Sequence, residues 1–124
     1  MNENILWLAL CIYFESRGEP IEAQLGVGHV VLNRTAAKHM SVKQVVQQPY
    51  QFSWYNEDVE PPVIRELSAF ADCMDSALEC LKQRLQGETF LGADHFYDNS
   101  IDAPYWAKEM TLIAQRGRIL FYKS

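Results

Sequence analysis

Apolar residues dominate the start of the chain and run without interruption from Ile5 to Phe14. Ten apolar side chains in succession need a core on nearly every side, so the run predicts a buried helix over residues 3–17. Gly18 follows the predicted helix and is a typical residue at a helix end. Glu15 therefore stands where an apolar helix stops.

A second helix is predicted over residues 20–34, because Pro20 suits the first turn of a helix. Small and apolar residues recur in it at spacings of three and four positions. The predicted stripe consists of Ala23, Val27, Val30, Val31 and Arg34. Gly26 and Gly28 have no side chain, so they predict that another helix packs closely against this one.

The middle of the chain combines two further helices with an aromatic loop. Ser41 predicts the N-cap of a short helix that ends near residue 47, and a long helix is predicted over residues 63–86. The apolar face predicted for the long helix consists of Leu67, Phe70, Ala71, Met74, Leu78 and Leu81. Residues 48–60 predict an irregular segment. Its aromatic residues are Tyr50, Phe52, Trp54 and Tyr55. Loops often carry function, so this segment is a candidate site.

The last third of the chain is typical of strands. We predict a short strand over residues 93–97, a loop over 99–106, and a hairpin with strands over 111–115 and 118–122. The predicted fold class is therefore α+β and mainly helical, a helical body with a small antiparallel β-sheet at one edge.

The composition fits one globular domain over residues 1–124, which is long enough for one core but not for two. A net charge of −5 argues against broad nucleic-acid binding, which depends on Lys and Arg, and gives no reason to expect an anionic membrane as partner. The aromatic content of 12% suits a dense core or a carbohydrate cleft, in which sugar faces stack on rings. We expect a monomer.

The cysteine and histidine residues predict neither a disulfide nor a metal site. Cys73 and Cys80 are seven positions apart, about 10 Å along a helix, which is too far for a disulfide. We therefore expect buried free thiols made in a reducing compartment. His29, His39 and His95 lack the short spacing of zinc ligands, so we expect no metal and no cofactor.

The apolar run at the N-terminus does not fit a targeting signal. The acidic residue Glu3 precedes it, no basic residue does, and no small-residue cleavage site follows it. The run is also too short to span a bilayer. We expect a protein that is made in the cytoplasm without an export signal or a membrane anchor.

Glu15 is the first candidate for chemistry. Its place beside a buried helix predicts partial burial, which disfavours the charged carboxylate and raises the pKa. A carboxyl that keeps its proton near neutral pH is the general acid that cleavage of a glycosidic bond needs. The alternative is a surface carboxylate paired with Arg17. Glu19 lies four positions further on, where it either shares a helix face with Glu15 or is stabilised by the dipole of the second helix.

Five motifs follow one another along the chain. They are YFESRGEP at 13–20, GVGHVVLNR at 26–34, QFSW at 51–54, HFY at 95–97 and GRILFY at 117–122. Together they resemble the catalytic domain of the spore-cortex-lytic and cell-wall hydrolase family (SleB-like), over nearly the whole chain. The Glu-Ser pair at a helix end also resembles the lysozyme-like lytic transglycosylases, so the resemblance implies a lysozyme-like helical body.

The resemblance implies an enzyme that acts on the glycan strands of peptidoglycan, and Glu15 matches the family's catalytic glutamate. The residues expected to bind the glycan are Ser16, Glu19, Gln51, Phe52, Ser53, Trp54, His95 and Tyr97. We expect a lytic transglycosylase that cleaves the bond between N-acetylmuramic acid and N-acetylglucosamine and leaves 1,6-anhydro-muramic ends, with Glu15 as acid and then base. The alternatives are a muramidase-type hydrolase, which uses two carboxylates, and a non-catalytic module that binds glycan.

Spore proteins of this family often carry a signal peptide and a separate wall-binding domain, and neither is visible in this sequence. The chain is in this respect more similar to a phage endolysin, which a holin releases to the cell wall. We therefore expect synthesis in the cytoplasm and action on the bacterial wall.

Overall fold

The computed structural model describes residues 2–48, 52, 54, 55 and 62–124. Four α-helices and a three-stranded sheet make up the regular structure of these ranges, together with two short 3-10 helices. The α-helices are α1 (Glu3–Ser16), α2 (Ile21–Lys38), α3 (Val42–Val46) and α4 (Leu67–Leu85). The strands are β1 (His95–Asp98), β2 (Thr111–Arg116) and β3 (Ile119–Lys123), and the 3-10 helices are Phe90–Gly92 and Tyr105–Lys108. The predicted α+β class is confirmed.

Helix α1 is the centre of the core and packs against α2, α3 and α4. Every residue from Trp7 to Tyr13 is buried, as the uninterrupted apolar run predicts. The helix ends before Gly18, whose φ of +81° is a backbone conformation that glycine adopts most easily. Glu15 consequently lies in the last turn of the most buried helix.

Close packing explains one of the two predicted glycine contacts. A Cβ on Gly28 would lie 2.8 Å from the Cys80 Sγ of α4 and 3.3 Å from the Ile12 Cδ1 of α1, so two helices approach α2 here. Gly26 instead faces a strand, because its Cβ would lie 2.5 Å from the ring of Phe121 in β3. The prediction of a helix partner is therefore right for Gly28 and wrong for Gly26.

The apolar face predicted for α4 is only partly the face that packs on the core, where Phe70, Met74 and Leu81 are partly buried. The buried residues of α4 are Cys73, Ser76, Ala77 and Cys80, whereas Leu67 is 75% exposed and Leu78 is 49% exposed. Small side chains face α1 and α2 because the close approach at Gly28 leaves no room for leucines. The helix also begins at Leu67 instead of residue 63, after a segment that holds the β-branched Val63 and Ile64.

The sheet has the strand order β1-β3-β2, and both pairings are antiparallel. Its central strand β3 buries Ile119 and Phe121 against the helices. This packing fixes β1 beside the C-terminal end of α1, which is where the candidate site lies.

Two sequence predictions can be compared with the structure here. Cys11, Cys73 and Cys80 are buried free thiols, as predicted. Of the helices in the described ranges, none combines the length and the apolar character needed to cross a membrane.

Candidate active site

Glu15 opens into a cleft of about 620 Å³ between the end of α1 and the sheet. Its polar lining residues are Glu15, Arg34 and Asp98. Its aromatic lining residues are Phe52, Phe96, Tyr97 and Trp106. Ile101 and Pro104, from the segment between β1 and β2, form a further part of the wall. The cleft thus combines carboxyl groups with aromatic surface, the combination that a sugar-cleaving site needs.

The environment of Glu15 raises its pKa from 4.5 to about 7. Burial is the largest cause, because it disfavours the charged form. Contact with the Trp54 indole and the positive charge of Arg34 both lower the pKa, and the negative charge of Asp98 raises it. A carboxyl with a pKa near neutrality can both donate and accept a proton at the same site.

Trp54 supports Glu15 from the side of the helix. Its ring stacks on Phe14 with 4.8 Å between the ring centroids and 18° between the planes, so one face of the indole is already covered. The Nε1 atom of Trp54 is buried and has no acceptor at regular hydrogen-bond geometry among the described residues. Its contact with Glu15 nevertheless lowers the pKa of Glu15. This position favours an effect of Trp54 on the Glu15 carboxyl over the contact with glycan that the sequence predicts.

Arg34 also lines the cleft and is fixed by a contact with the backbone. Its Nε donates to the carbonyl oxygen of Asp94 at 2.8 Å, and its guanidinium lies 5.7 Å from the ring centroid of Phe52. Phe52 is buried and forms part of the cleft wall. A fixed cation here supplies positive potential to a cleft that also holds two carboxyls.

Asp98 is a second carboxyl of the cleft, and it is not among the site residues predicted from the sequence. Its Oδ1 accepts from the backbone N–H of Ser100 at 2.8 Å, and its Oδ2 lies 3.5 Å from Nη2 of Arg118. The only sequence signal was its position directly after the HFY motif. Asp98 is therefore held by two donors.

Glu19 contacts Arg118, the arginine that also contacts Asp98, and it does not line the cleft. Its Oε1 accepts from the backbone N–H of Arg118 at 2.7 Å, and its Oε2 lies 3.6 Å from the Arg118 Nε. Glu19 thereby ties the link between α1 and α2 to the turn between β2 and β3. This geometry favours a structural role over the substrate contact expected from the sequence.

Aromatic rings extend the cleft along the sheet. Tyr97 lines it, as expected, and its ring centroid is 5.9 Å from that of Trp106. Trp106 also packs on Tyr122 at 5.4 Å and on His95 at 5.0 Å. Trp106 is not among the site residues predicted from the sequence, although the aromatic pair after Pro104 is a usable signal.

The remaining predicted residues lie in different places. Ser16 is buried, and its hydroxyl donates to the carbonyl of Ile12 at 2.8 Å, so it does not reach the cleft. His95 lines a neighbouring cavity, with its Nδ1 3.0 Å from Asp94 Oδ1. Gln51 and Ser53 lie outside the described residues, so their expected glycan contacts stay predictions.

No group of three or more His, Cys, Asp or Glu side chains is placed to hold a metal ion within the part of the chain that the structure describes. The described lining of the cleft contributes carboxyl groups, a guanidinium and aromatic rings.

A family model described as Cell Wall Hydrolase matches residues 18–122. The chain belongs to this cell-wall hydrolase family. It is an enzyme that degrades bacterial cell-wall peptidoglycan. Glu15 lies three residues before the start of the match, so its assignment depends on the geometry of the cleft.

Two solved structures show the same fold. The catalytic domain of the Bacillus cereus SleB protein aligns with a TM-score of 0.74 and 23% identity, over 98% of this chain and 91% of that one. The catalytic domain of the germination-specific lytic transglycosylase SleB from Bacillus anthracis aligns with a TM-score of 0.66 and 22% identity, over 99% and 97%. No curated protein matches the sequence significantly.

Proposed function

We propose that this hydrolase-family enzyme is a lytic transglycosylase with Glu15 as its single acid and base. It cleaves the glycosidic bond between N-acetylmuramic acid and N-acetylglucosamine. The observation that carries the proposal is the Glu15 carboxyl in the cleft, whose pKa burial raises to about 7. The Bacillus anthracis structure with the same fold is described as a lytic transglycosylase, which is consistent with this chemistry.

The reaction uses one carboxyl twice. Protonated Glu15 donates its proton to the glycosidic oxygen, the bond from that oxygen to C1 of the muramic residue breaks, and positive charge develops at C1. The Glu15 carboxylate then takes the proton of the C6 hydroxyl, and O6 forms a bond to C1. The product has a 1,6-anhydro-muramic end, and Glu15 is again protonated for the next cycle.

The contacts of Asp98, the other described carboxyl of the cleft, support a mechanism with Glu15 as the single acid and base. Asp98 is held by Arg118 and by the Ser100 N–H, whereas Glu15 forms no ion pair with any described residue. A carboxylate that two donors already engage is a poorer nucleophile, but it still stabilises positive charge that develops nearby. The charge of Asp98 also raises the pKa of Glu15, which keeps the general acid protonated.

A muramidase-type hydrolase is the second candidate, because the cleft does hold two carboxyls. Glycosidases that hydrolyse their substrate use one carboxyl as acid and a second as base or nucleophile. Among the described residues the candidate for the second group is then Asp98, which lines the cleft, whereas Glu19 does not. A reducing muramic end would be its product.

Mass spectrometry of the soluble fragments separates these functions. Wild type, Glu15→Gln, Asp98→Asn and the control Glu109→Gln, an exposed glutamate away from the cleft, are incubated with vegetative peptidoglycan and with spore cortex. We expect anhydro-muramic ends from wild type and Glu109→Gln, and a loss of at least about a hundredfold in Glu15→Gln.

Other products decide against the proposal. Reducing ends that disappear in Asp98→Asn would show a hydrolase. Cleavage by Glu15→Gln at the wild-type rate would contradict the assignment of Glu15. Binding to glycan without any cleavage would indicate the non-catalytic module.

A further inference from the structure

A second cavity of about 750 Å³ lies beside the catalytic cleft. Its charged lining residues include Arg34, Lys38, Arg84 and Lys123, and His95 also contributes to the wall. Four of the 11 Lys and Arg side chains of the whole chain thus surround one cavity, although the protein carries a net charge of −5. A local excess of positive charge on an acidic protein points to an anionic ligand.

Amide oxygens of the protein hold two of the cations of this cavity, Lys38 and Arg84. The Nζ of Lys38 donates to the Gln48 amide oxygen at 2.9 Å, and Arg84 donates to the amide oxygen of Asn33. Among the described residues, none of Lys38, Arg84 and Lys123 forms an ion pair with a carboxylate.

The carboxylate that does line the cavity is already occupied. Asp94 accepts hydrogen bonds from the backbone N–H and the hydroxyl of Ser124, and it is paired with Nδ1 of His95. Asp94 thus already has partners in His95 and Ser124, and among the described residues it forms no ion pair with Lys38, Arg84 or Lys123.

The cavity and the cleft share a wall. Arg34 lines both spaces, and the ring of Trp106 in the cleft packs on the ring of His95 in the cavity at 5.0 Å. A ligand in the cleft would therefore share Arg34 with a group bound in the cavity.

We propose that this cavity binds the carboxylates of the peptide stem of peptidoglycan. The inference rests on the proposed function, because the muramic residue in the cleft carries the stem on its lactyl group. Carboxylates accept charge-assisted hydrogen bonds from lysine and arginine, which are stronger than bonds between neutral groups. The cavity thus makes the enzyme selective for glycan that still carries its stems, and it gives His95 a role outside the cleft.

Binding measurements on the Glu15→Gln protein test this without any cleavage. Titration calorimetry compares three soluble tetrasaccharides that contain no teichoic acid: one with peptide stems, one with amidated stem carboxylates, and one whose stems an amidase has removed. The variant is Lys38→Gln with Lys123→Gln. The control is Lys82→Gln with Lys108→Gln, two exposed lysines that do not line the cavity.

We expect the stem-bearing ligand to bind more tightly than the other two, and the cavity variant to reduce this preference about three- to tenfold, as loss of two exposed ion pairs implies. The control should keep the preference. The inference is overturned if the parent protein shows no preference for stems, if the cavity variant keeps the full preference, or if it weakens all three ligands equally.

Failure of the proposed function would look different. In that case the wild-type protein would not produce anhydro-muramic ends, while the binding preference for stems and its dependence on Lys38 and Lys123 would still be measured. The two conclusions can therefore be rejected separately.

Discussion

The pKa of Glu15 is held near 7 by opposing effects of its surroundings. The contributions of single neighbouring side chains can be removed by mutation. Burial raises the pKa of Glu15, contact with Trp54 and the charge of Arg34 lower it, and the charge of Asp98 raises it. The protonated form must be present at the start of the proposed reaction. The activity should therefore fall as the pH rises through about 7.

Two conservative substitutions should move this alkaline limit in opposite directions. Asp98→Asn removes a negative charge that raises the Glu15 pKa, so the limit should shift to lower pH. Trp54→Phe removes an N–H that lowers it, so the limit should shift to higher pH. Beyond the limit the protonated fraction falls about tenfold for each pH unit, so pH profiles of kcat/KM on a soluble glycan measure both shifts. Identical limits in all three proteins would show that another group controls the profile.

The sequence predicts the burial of Glu15 but not its neighbours. Burial follows from ten apolar residues immediately before it, which is local information. Asp98 and Trp106 come from segments more than 80 positions later, and only the pairing of β1 with β3 brings them to the end of α1. Ser16 and Glu19 lie one and four positions after Glu15, yet helix geometry and the hairpin turn direct them elsewhere.

At the scale of elements, the sequence predicts most boundaries of the helices and strands. It does not predict which faces of these elements pack together. Helices α1 and α3 lie within a residue or two of their predictions, and Ser41 caps α3 with a full capping box. The face predicted for α4 follows large apolar side chains at helical spacing. The face that is actually buried is determined by the distance between the helices. That distance is set at Gly28, by contacts with residues 16 and 52 positions away along the chain.

The close approach at Gly28 predicts a double-mutant effect on stability. A methyl group in Gly28→Ala would lie 2.8 Å from the Cys80 Sγ, so overpacking should lower the free energy of unfolding by about 1–3 kcal/mol. Cys80→Ala removes that sulfur and leaves a small cavity, with a loss of about 1 kcal/mol.

The double variant should lose less than the sum of the two single losses, since the alanine methyl occupies space that the sulfur vacated. Urea denaturation of the four proteins measures the difference. Additive losses would mean that Gly28 is limited by contact with Ile12 of α1 and not by α4.

For the whole molecule, the raised pKa of Glu15 is a cost to stability. At pH values below 4.5 the carboxyl is protonated in both the folded and the unfolded chain. Between pH 4.5 and about 7 it ionises in the unfolded chain only, which favours unfolding. Above pH 7 the cost is complete, and a difference of this size corresponds to about 3 kcal/mol.

Glu15→Gln should therefore stabilise the enzyme while it abolishes cleavage. The amide cannot ionise, so we expect the free energy of unfolding to rise by about 1–3 kcal/mol at pH 8 and to change little at pH 4. Urea denaturation at the two pH values, with Glu109→Gln as the matched control, measures this. A stabilisation of equal size at both pH values would come from packing or hydrogen bonding and would contradict a raised pKa. A higher free energy of unfolding at pH 8 alone would show that keeping Glu15 protonated in the folded enzyme lowers its stability.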